Sequence, residues 1–281
     1  MGSSAGDDTI SFAAASGAAT FTIEEDGLDA DDTITGGTGS DTLTITFDGT
    51  GITAAEAAGV TKVETIKTAT NAAGSLTLND ANNVSSVVTI NAEANTNTAF
   101  TLDASAENDG TITYTGGGGI DTVTGTDTTA TGDTISSGAG ADVITGGLGG
   151  DTITGGAGAD TFTYTAVGQS TGSARDSITD YTSGTDLFSF TINNSTNTSG
   201  QTYDATIQTA RAGTSLVQSN LSGSIGQAIY DTTNSRLIVN ANADNLVTTL
   251  DYQIDVNAAT TAASTVAAGD IGFVITAGSG T

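Results

Sequence analysis

A nine-residue pattern repeats four times in succession between Thr128 and Thr163. Every copy opens with small residues, reaches an aspartate at its sixth position and places a large apolar residue two positions later. The aspartates of the four copies are Asp133, Asp142, Asp151 and Asp160, and the apolar residues are Ile135, Ile144, Ile153 and Phe162. A unit this short buries its apolar residue only against neighbouring units, so the period predicts a stack of similar coils.

Each copy predicts one tight turn and one short strand. The small first half suits a turn because glycine adopts positive-φ conformations that other residues disfavour, and the second half alternates polar and apolar residues as a strand does. Successive strands are then expected on alternate sides of a flattened coil. Turns eighteen residues apart, such as those of Asp133 and Asp151, would lie one above the other and bring their carboxylates together.

Stacked carboxylates predict a cation between them, because the charges would otherwise repel one another. Calcium accepts six to eight oxygen ligands in flexible geometry, whereas magnesium requires a tighter octahedron. Histidine and cysteine are absent, so zinc, copper and iron–sulfur sites lack their usual donors. Two alternatives stay open for any single copy: a plain turn, or a glycine-rich phosphate loop. A phosphate loop would need a nearby lysine, and no lysine follows Lys67.

Further copies lie outside the tandem array. Complete copies begin at Gly36 and Gly116, and a degenerate one surrounds Asp32. Threonines replace glycines in the copy of Asp133, and Ser137 replaces the first glycine of the next, so weaker binding is expected in these two turns. The predicted calcium ligands are the aspartates and the residues of the preceding turns: Asp32, Gly36, Gly37, Thr38, Gly39, Asp41, Gly116, Gly117, Gly118, Gly119, Asp121, Asp133, Ser137, Gly138, Ala139, Gly140, Asp142, Gly146, Gly147, Leu148, Gly149, Asp151, Gly155, Gly156, Ala157, Gly158 and Asp160.

A second period, of twelve residues, occupies the middle of the chain. Its members are pairs of apolar residues separated by one threonine: Leu76 and Leu78, Val88 and Ile90, Phe100 and Leu102, Ile112 and Tyr114. This spacing predicts a β-solenoid with wider coils, with unrelated hairpins as the alternative. The segment 53–59 predicts a short helix with a capping box, which would cap or buttress the solenoid.

After Phe162 the pattern is less regular. Alternating segments at 228–230, 237–239 and 252–256 predict antiparallel strands that close the roll. The predicted fold is therefore all-β, a right-handed parallel β-solenoid or β-roll with calcium-binding glycine-rich turns and a C-terminal antiparallel β cap. Three regions are expected: an N-terminal solenoid (1–115), the calcium-binding roll (116–165) and a C-terminal cap with a secretion signal (166–281).

Composition excludes several functions. With 32 acidic and 5 basic residues the net charge is -27, so binding to nucleic acid is not expected. No stretch of about eighteen apolar residues predicts a membrane span. Without histidine, neither an H-E-x-x-H metalloprotease nor a Ser-His-Asp hydrolase is possible. A carboxylate-pair glycosidase or lyase stays open, but nearly all acids lie in predicted turns, so we predict no enzyme.

The repeats and the residues after them resemble the C-terminal region of RTX proteins, the hemolysin-type calcium-binding repeat family exported by type I secretion. Residues 176–186 are similar to the family's post-repeat element D-x-I-x-D-F-x-x-G-x-D, with Tyr181 in place of phenylalanine, and Asp180 of this element is included among the predicted ligands. Residues 272–275 resemble the closing secretion-signal segment. The resemblance covers 116–281, and the Thr/Ala-rich middle is similar to bacterial S-layer proteins.

The resemblance implies export of the unfolded chain through type I secretion machinery, followed by folding on extracellular calcium. We therefore expect a secreted structural protein of bacteria that self-assembles in a cell-surface layer or matrix, with calcium bridging neighbouring molecules. The alternative is a calcium-dependent adhesin or carbohydrate-binding module that binds a cell-surface glycan through the loop 193–200 and Tyr203. The opening residues 1–8 have no basic region and no apolar core, so no N-terminal signal peptide is expected.

Overall fold

Successive strands of the chain alternate between two faces of a parallel β-solenoid of about seven turns. The computed structural model describes residues 7–13, 16–69, 71–82, 87–129, 131–193, 207–210, 228–231, 234–240, 251–258, 266 and 270–276. Nearly all regular structure in these segments is β-strand. The predicted all-β fold with a parallel solenoid is confirmed.

Even-numbered strands form one face and odd-numbered strands the other. The first face contains β2 (Thr20–Glu24), β4 (Thr42–Thr46), β6 (Thr65–Thr68), β8 (Val87–Asn91), β10 (Thr111–Thr115), β12 (Thr134–Ser136), β14 (Thr152–Thr154) and β16 (Ser177–Tyr181). The second contains β7 (Gly74–Thr77), β9 (Phe100–Asp103), β11 (Thr122–Thr124), β13 (Val143–Thr145), β15 (Thr161–Tyr164) and β17 (Leu187–Asn193). A separate three-stranded sheet contains β1 (Thr9–Ser11), β3 (Thr33–Thr35) and β5 (Val60–Thr61).

The strand register follows the two sequence periods. In the tandem repeats, Ile135 pairs with Ile153 and Ile144 with Phe162, each eighteen residues later. All four side chains are buried between the faces. Two nine-residue copies therefore make one coil, as predicted.

In the middle of the chain, two twelve-residue units make one coil. Val88 pairs with Ile112, 24 residues later. The next face differs slightly, since Leu76 pairs with Leu102, 26 residues later. The coil between β7 and β9 is thus two residues longer than the period, and the additional length is taken up outside the strands.

One hydrophobic core extends through the whole solenoid and contains buried residues from Phe21 to Val266. The strand β10 pairs with β8 on one side and with β12 on the other, so the wide coils continue directly into the glycine-rich ones. Aromatic rings fill the carboxyl end of the core: Tyr164 stacks on Phe190 at a centroid distance of 5.3 Å, and Tyr181 on Phe188 at 5.0 Å.

The C-terminal strands extend both faces. They are β18 (Ile207–Ala210), β19 (Ala228–Asp231), β20 (Arg236–Val239), β21 (Tyr252–Ala258) and β22 (Ile271–Thr276). The pairs β19–β20 and β20–β21 are antiparallel, as predicted for the cap. In addition, β21 and β22 join the solenoid in parallel with β16 and β17. Of the loop proposed to bind a glycan, residues 194–200 and Tyr203 lie outside the described residues.

The predicted helix is α1 (Ala54–Ala57), and its capping box is present: Glu56 Oε2 accepts from the Thr53 N–H at 2.7 Å. It lies along an edge of the solenoid, where the Asn82 amide donates to the carbonyl oxygen of Val60 at 2.9 Å. The helix therefore buttresses the turns of the next coil. Within the described residues, no helix is long and apolar enough to cross a membrane.

Candidate metal centre

Aspartates form a column along each of the two opposite edges of the solenoid. Because consecutive strands alternate between faces, consecutive turns alternate between edges. One column contains Asp133, Asp151 and Asp176, and the other contains Asp121, Asp142, Asp160 and Asp186. All seven side chains are buried.

A single kind of hydrogen bond connects each column. The backbone N–H of Asp133 donates to Oδ1 of Asp151 at 2.7 Å, and that of Asp151 donates to Oδ1 of Asp176 at 3.0 Å. On the opposite edge, Asp142 donates in the same way to Asp160 at 3.0 Å. One oxygen of each carboxylate thus fixes the backbone of the preceding coil, which places the predicted aspartates one above another.

The second oxygen is left over in three of these carboxylates. Within the described part of the chain, Oδ2 of Asp142, Asp151 and Asp176 is buried and has no hydrogen-bond partner. The hydroxyl oxygen of Ser137, in the same group of turns, is also buried without one. A buried carboxylate oxygen without a donor or cation is costly, so these turns are suited to a positively charged ligand.

The space in front of these oxygens is kept open by the first glycine of each copy. A Cβ added to Gly155 or Gly146 would overlap Oδ2 of the aspartate in the same turn. A Cβ on Gly116 would overlap both Asp121 Oδ2 and the carbonyl oxygen of Ser137 in the next coil. Glycine is required there because oxygen atoms approach from two coils.

The second and fourth positions of three copies adopt the left-handed backbone. Their φ angles are between 101° and 150° at Gly138, Gly140, Gly147, Gly149, Gly156 and Gly158. These turns also bond to one another: the N–H of Ala157 donates to the Gly138 carbonyl oxygen at 2.8 Å, and that of Leu148 donates to Thr126 at 3.0 Å. The corresponding glycines at 37, 39, 117 and 119 do not have positive φ, although the sequence pattern is complete there.

Burial makes the charged form of these aspartates unfavourable. It raises the pKa of Asp142 and of Asp160 to about 6 and that of Asp151 to about 7, and it raises the pKa of Asp176 well above its ordinary value. Backbone N–H donors oppose these shifts, while the neighbouring aspartate of the column adds to them. A cation in the turn would favour the ionised form.

The remaining predicted ligands lie in related but different surroundings. Both oxygens of Asp41 accept backbone N–H groups, from Ala19 and Gly37, each at 2.6 Å. Asp32 likewise accepts from Asp8 and Asp29 with its two oxygens. Hydrogen bonds therefore already satisfy both carboxylates.

Asp180 lies beside the last glycine-rich turn. It accepts from the N–H groups of Gly155 and Gly156 at 3.0 and 2.7 Å. The structure thus brings Asp180 to the Asp160 turn, but holds its carboxylate with backbone donors.

Sequence reasoning missed several residues of the columns. Gly125 takes the place of the first glycine in the turn of Asp133, since a Cβ there would overlap Asp133 Oδ2 and the Gly146 carbonyl oxygen. The pattern had placed the start of this copy at Thr128. Eight residues separate Gly125 from Asp133, against five between Gly146 and Asp151. The three additional residues hid the correct start.

Three acidic residues were also missed. Asp176 and Asp186 end the two columns, and both belong to the post-repeat element in which only Asp180 had been selected. Glu64 accepts from the Asp41 N–H at 2.7 Å, so a glutamate takes the part of the next-coil aspartate there. Its distance of 23 residues from Asp41 could have identified it, since that is the length of the local coil.

The oxygen atoms of these turns fit a hard cation. Oδ2 of the aspartates and the carbonyl oxygens of the glycine turns are acceptors, and several converge where a glycine leaves room. No lysine or arginine occurs between Lys67 and Arg175, so the residues of the tandem repeats supply no basic side chain to this space. Oxygen ligands in flexible turns are the preference of calcium.

Comparison with known families identifies the repeats. Residues 26–44 and 127–162 match the family model of the RTX calcium-binding nonapeptide repeat, in four copies. The copy at 116–121, whose turn lacks the left-handed glycines, lies outside both matched segments. The comparison with curated proteins gives no match.

Proposed function

We propose that this RTX repeat protein is a secreted structural protein that binds several calcium ions, folds on meeting extracellular calcium and self-assembles in a bacterial cell-surface layer or extracellular matrix. The observation that carries the proposal is the pair of aspartate columns with unpartnered, buried Oδ2 atoms. The proposal assigns no catalytic step to the chain.

The turn residues have separate tasks in holding calcium. Asp142, Asp151 and Asp176 would supply carboxylate oxygens, and the glycine turns would supply carbonyl oxygens. Bound calcium would neutralise the carboxylates of successive coils. The backbone N–H bonds along each column hold the aspartates in place, and the left-handed glycines turn the chain within a few residues.

Folding is expected to depend on calcium because the site exists only when coils are stacked. A metal site that is absent from the unfolded chain contributes its binding free energy to folding. Extracellular calcium modules work with dissociation constants of about 10⁻⁴ to 10⁻³ M. In a calcium-poor cytoplasm the chain, with its net charge of -27, would stay unfolded and suited to the type I export that the repeat family suggests.

The outer faces of the solenoid support self-association. Threonine occupies outward positions on successive strands, as at Thr113, Thr134 and Thr152, which pair in register. Such faces are polar and regular, which favours side-by-side packing of identical surfaces. Two molecules of charge -27 repel one another, and divalent cations between them would remove this barrier.

Electron microscopy with parallel circular dichroism tests the proposal. Metal-stripped protein is compared with protein in millimolar calcium, and magnesium at the same concentration is the control. We expect gain of β-structure and ordered sheets or filaments with calcium alone. β-structure that is the same with calcium and with chelator would contradict calcium-dependent folding. Folded but dispersed particles in calcium that bind glycans would contradict assembly and favour an adhesin.

A further inference from the structure

The turn between β9 and β10 buries a glutamate outside the nonapeptide repeats. Glu107 has no exposed surface. Its Oε1 accepts from the N–H groups of Asp109 and Gly110 at 3.2 and 3.1 Å. Its Oε2 has no hydrogen-bond partner in the described residues. A fully buried carboxylate with one free oxygen indicates that a ligand belongs beside it.

Two exposed carboxylates meet Glu107 at the same place. One oxygen each of Asp80, Glu107 and Asp109 lie within 4.8 Å of one another. Asp80 comes from the turn after β7, one coil earlier, and its Oδ1 lies 3.4 Å from the backbone nitrogen of Asn108, which donates to it. Residues from two successive coils are therefore brought to one point.

The cluster lies on the same edge of the solenoid as the Asp133 column. The N–H of Asp127, in the turn that leads to Asp133, donates to the Glu107 carbonyl oxygen at 2.9 Å. Burial raises the pKa of the Glu107 carboxyl, and the charge of Asp109 adds to this. The sequence between Lys67 and Arg175 contains no basic residue that could neutralise the three acids.

We propose that Asp80, Glu107 and Asp109 bind a calcium ion at a site separate from the RTX turns. Calcium lies about 2.3–2.6 Å from its oxygen ligands, so two oxygens on one ion are at most about 5 Å apart. The 4.8 Å limit of the cluster satisfies this condition. The ion connects the turn after β7 to the turn after β9 and thereby fixes the wide, glycine-poor coils.

Calcium stoichiometry of the full chain tests this site. Glu107→Gln keeps an acceptor for Asp109 and Gly110 but removes the charge, and Asp80→Asn changes an exposed ligand with little risk to folding. Glu93→Gln is the matched control, since Glu93 is an exposed acid in the preceding turn. Native mass spectrometry and calorimetric titration with calcium chloride should show one ion fewer per chain for both site variants and an unchanged number for Glu93→Gln.

Failure of this site can be distinguished from failure of the RTX sites. If Asp80→Asn and the control bind the same number of ions with the same affinities, the cluster is not a calcium site, whether or not Glu107→Gln folds. In that case Asp151→Asn would still lose calcium from the glycine-rich turns. If the unmodified chain binds no calcium at all, both proposals are wrong.

Discussion

The backbone N–H of Asp133 donates to the carboxylate of Asp151, eighteen residues later, at an N–Oδ1 distance of 2.7 Å. Asp121 and Asp142 have the same relationship on the opposite edge, also at 2.7 Å. A single side chain therefore has two functions: one oxygen anchors the preceding coil, and the other faces its own glycine turn. This division makes stability and calcium binding depend on the same residues.

Asp151→Ala should weaken calcium-dependent folding far more than Asp8→Ala. The change at 151 leaves the Asp133 N–H without its acceptor inside the stack, which costs about 1–3 kcal/mol, and removes a calcium ligand. Asp8 has an exposed side chain, and such substitutions stay within about 0.5 kcal/mol. The calcium concentration at half-maximal folding, followed by circular dichroism, should rise only for Asp151→Ala. Equal shifts would show that the assigned register is wrong.

Gly156→Ala should destabilise the folded protein more than Gly49→Ala. Both glycines have positive φ, 101° and 113°, so both alanines carry backbone strain of about 1–2 kcal/mol. Only at Gly156 would the new Cβ overlap another atom, the carbonyl oxygen of Gly138, whereas nothing lies within 4 Å at Gly49. Thermal unfolding in saturating calcium measures the difference, and similar losses would show that close contact between turns is unimportant.

Metal-free protein should become less stable as the pH rises from about 4 to about 7. The folded-state pKa values of Asp142 and Asp151, about 6 and about 7, exceed the ordinary value of 3.8. A raised pKa contributes stability that is present below pH 3.8 and is lost as the pH rises through the folded value. In saturating calcium the trend should reverse, because protons compete with the ion for the carboxylates.

Melting temperatures of metal-stripped and calcium-saturated protein between pH 4 and 8 check this prediction. Asp142→Asn, which cannot ionise, should flatten the pH dependence of the stripped protein. The account fails if stripped and calcium-loaded protein respond to pH in the same direction.

Tyr181→Phe should loosen the final strand. The Tyr181 hydroxyl donates to Asp270 Oδ2 at 2.7 Å, and Asp270 also accepts from Ser183 Oγ at 2.7 Å. Loss of the phenol should cost about 1 kcal/mol. Hydrogen exchange at Ile271–Thr276 should accelerate several-fold while β14 is unaffected. Uniform acceleration across both strands would mean that the bond supports the whole fold rather than its end.

The sequence predicted the parts of the fold that depend on spacing. Apolar residues at fixed intervals report the length of a coil, so the pairing of Ile135 with Ile153 and of Val88 with Ile112 followed from counting. The aspartate columns followed from the same count. Parallel stacking converts an interval along the chain directly into a neighbour in space.

Features that depend on local backbone conformation could not be counted. The pattern at Gly116 is complete, yet its glycines do not adopt the left-handed turn found after Ser137. The insertion after Gly125 interrupts the period without changing the stack. Glu107 belongs to no repeat, and its importance comes from burial and from a partner 27 residues earlier, Asp80.

The columns have a direction, because every carboxylate serves the coil that precedes it in the chain. A coil added on the amino-terminal side finds its acceptors already in place, whereas one added on the carboxyl-terminal side must bring its own. Ordering that begins near Asp176 and Asp186 can therefore spread toward the amino terminus like a zip with one working end. A chain cut just before Asp176 would lose the starting template of one column, even though every glycine-rich turn before it remained intact.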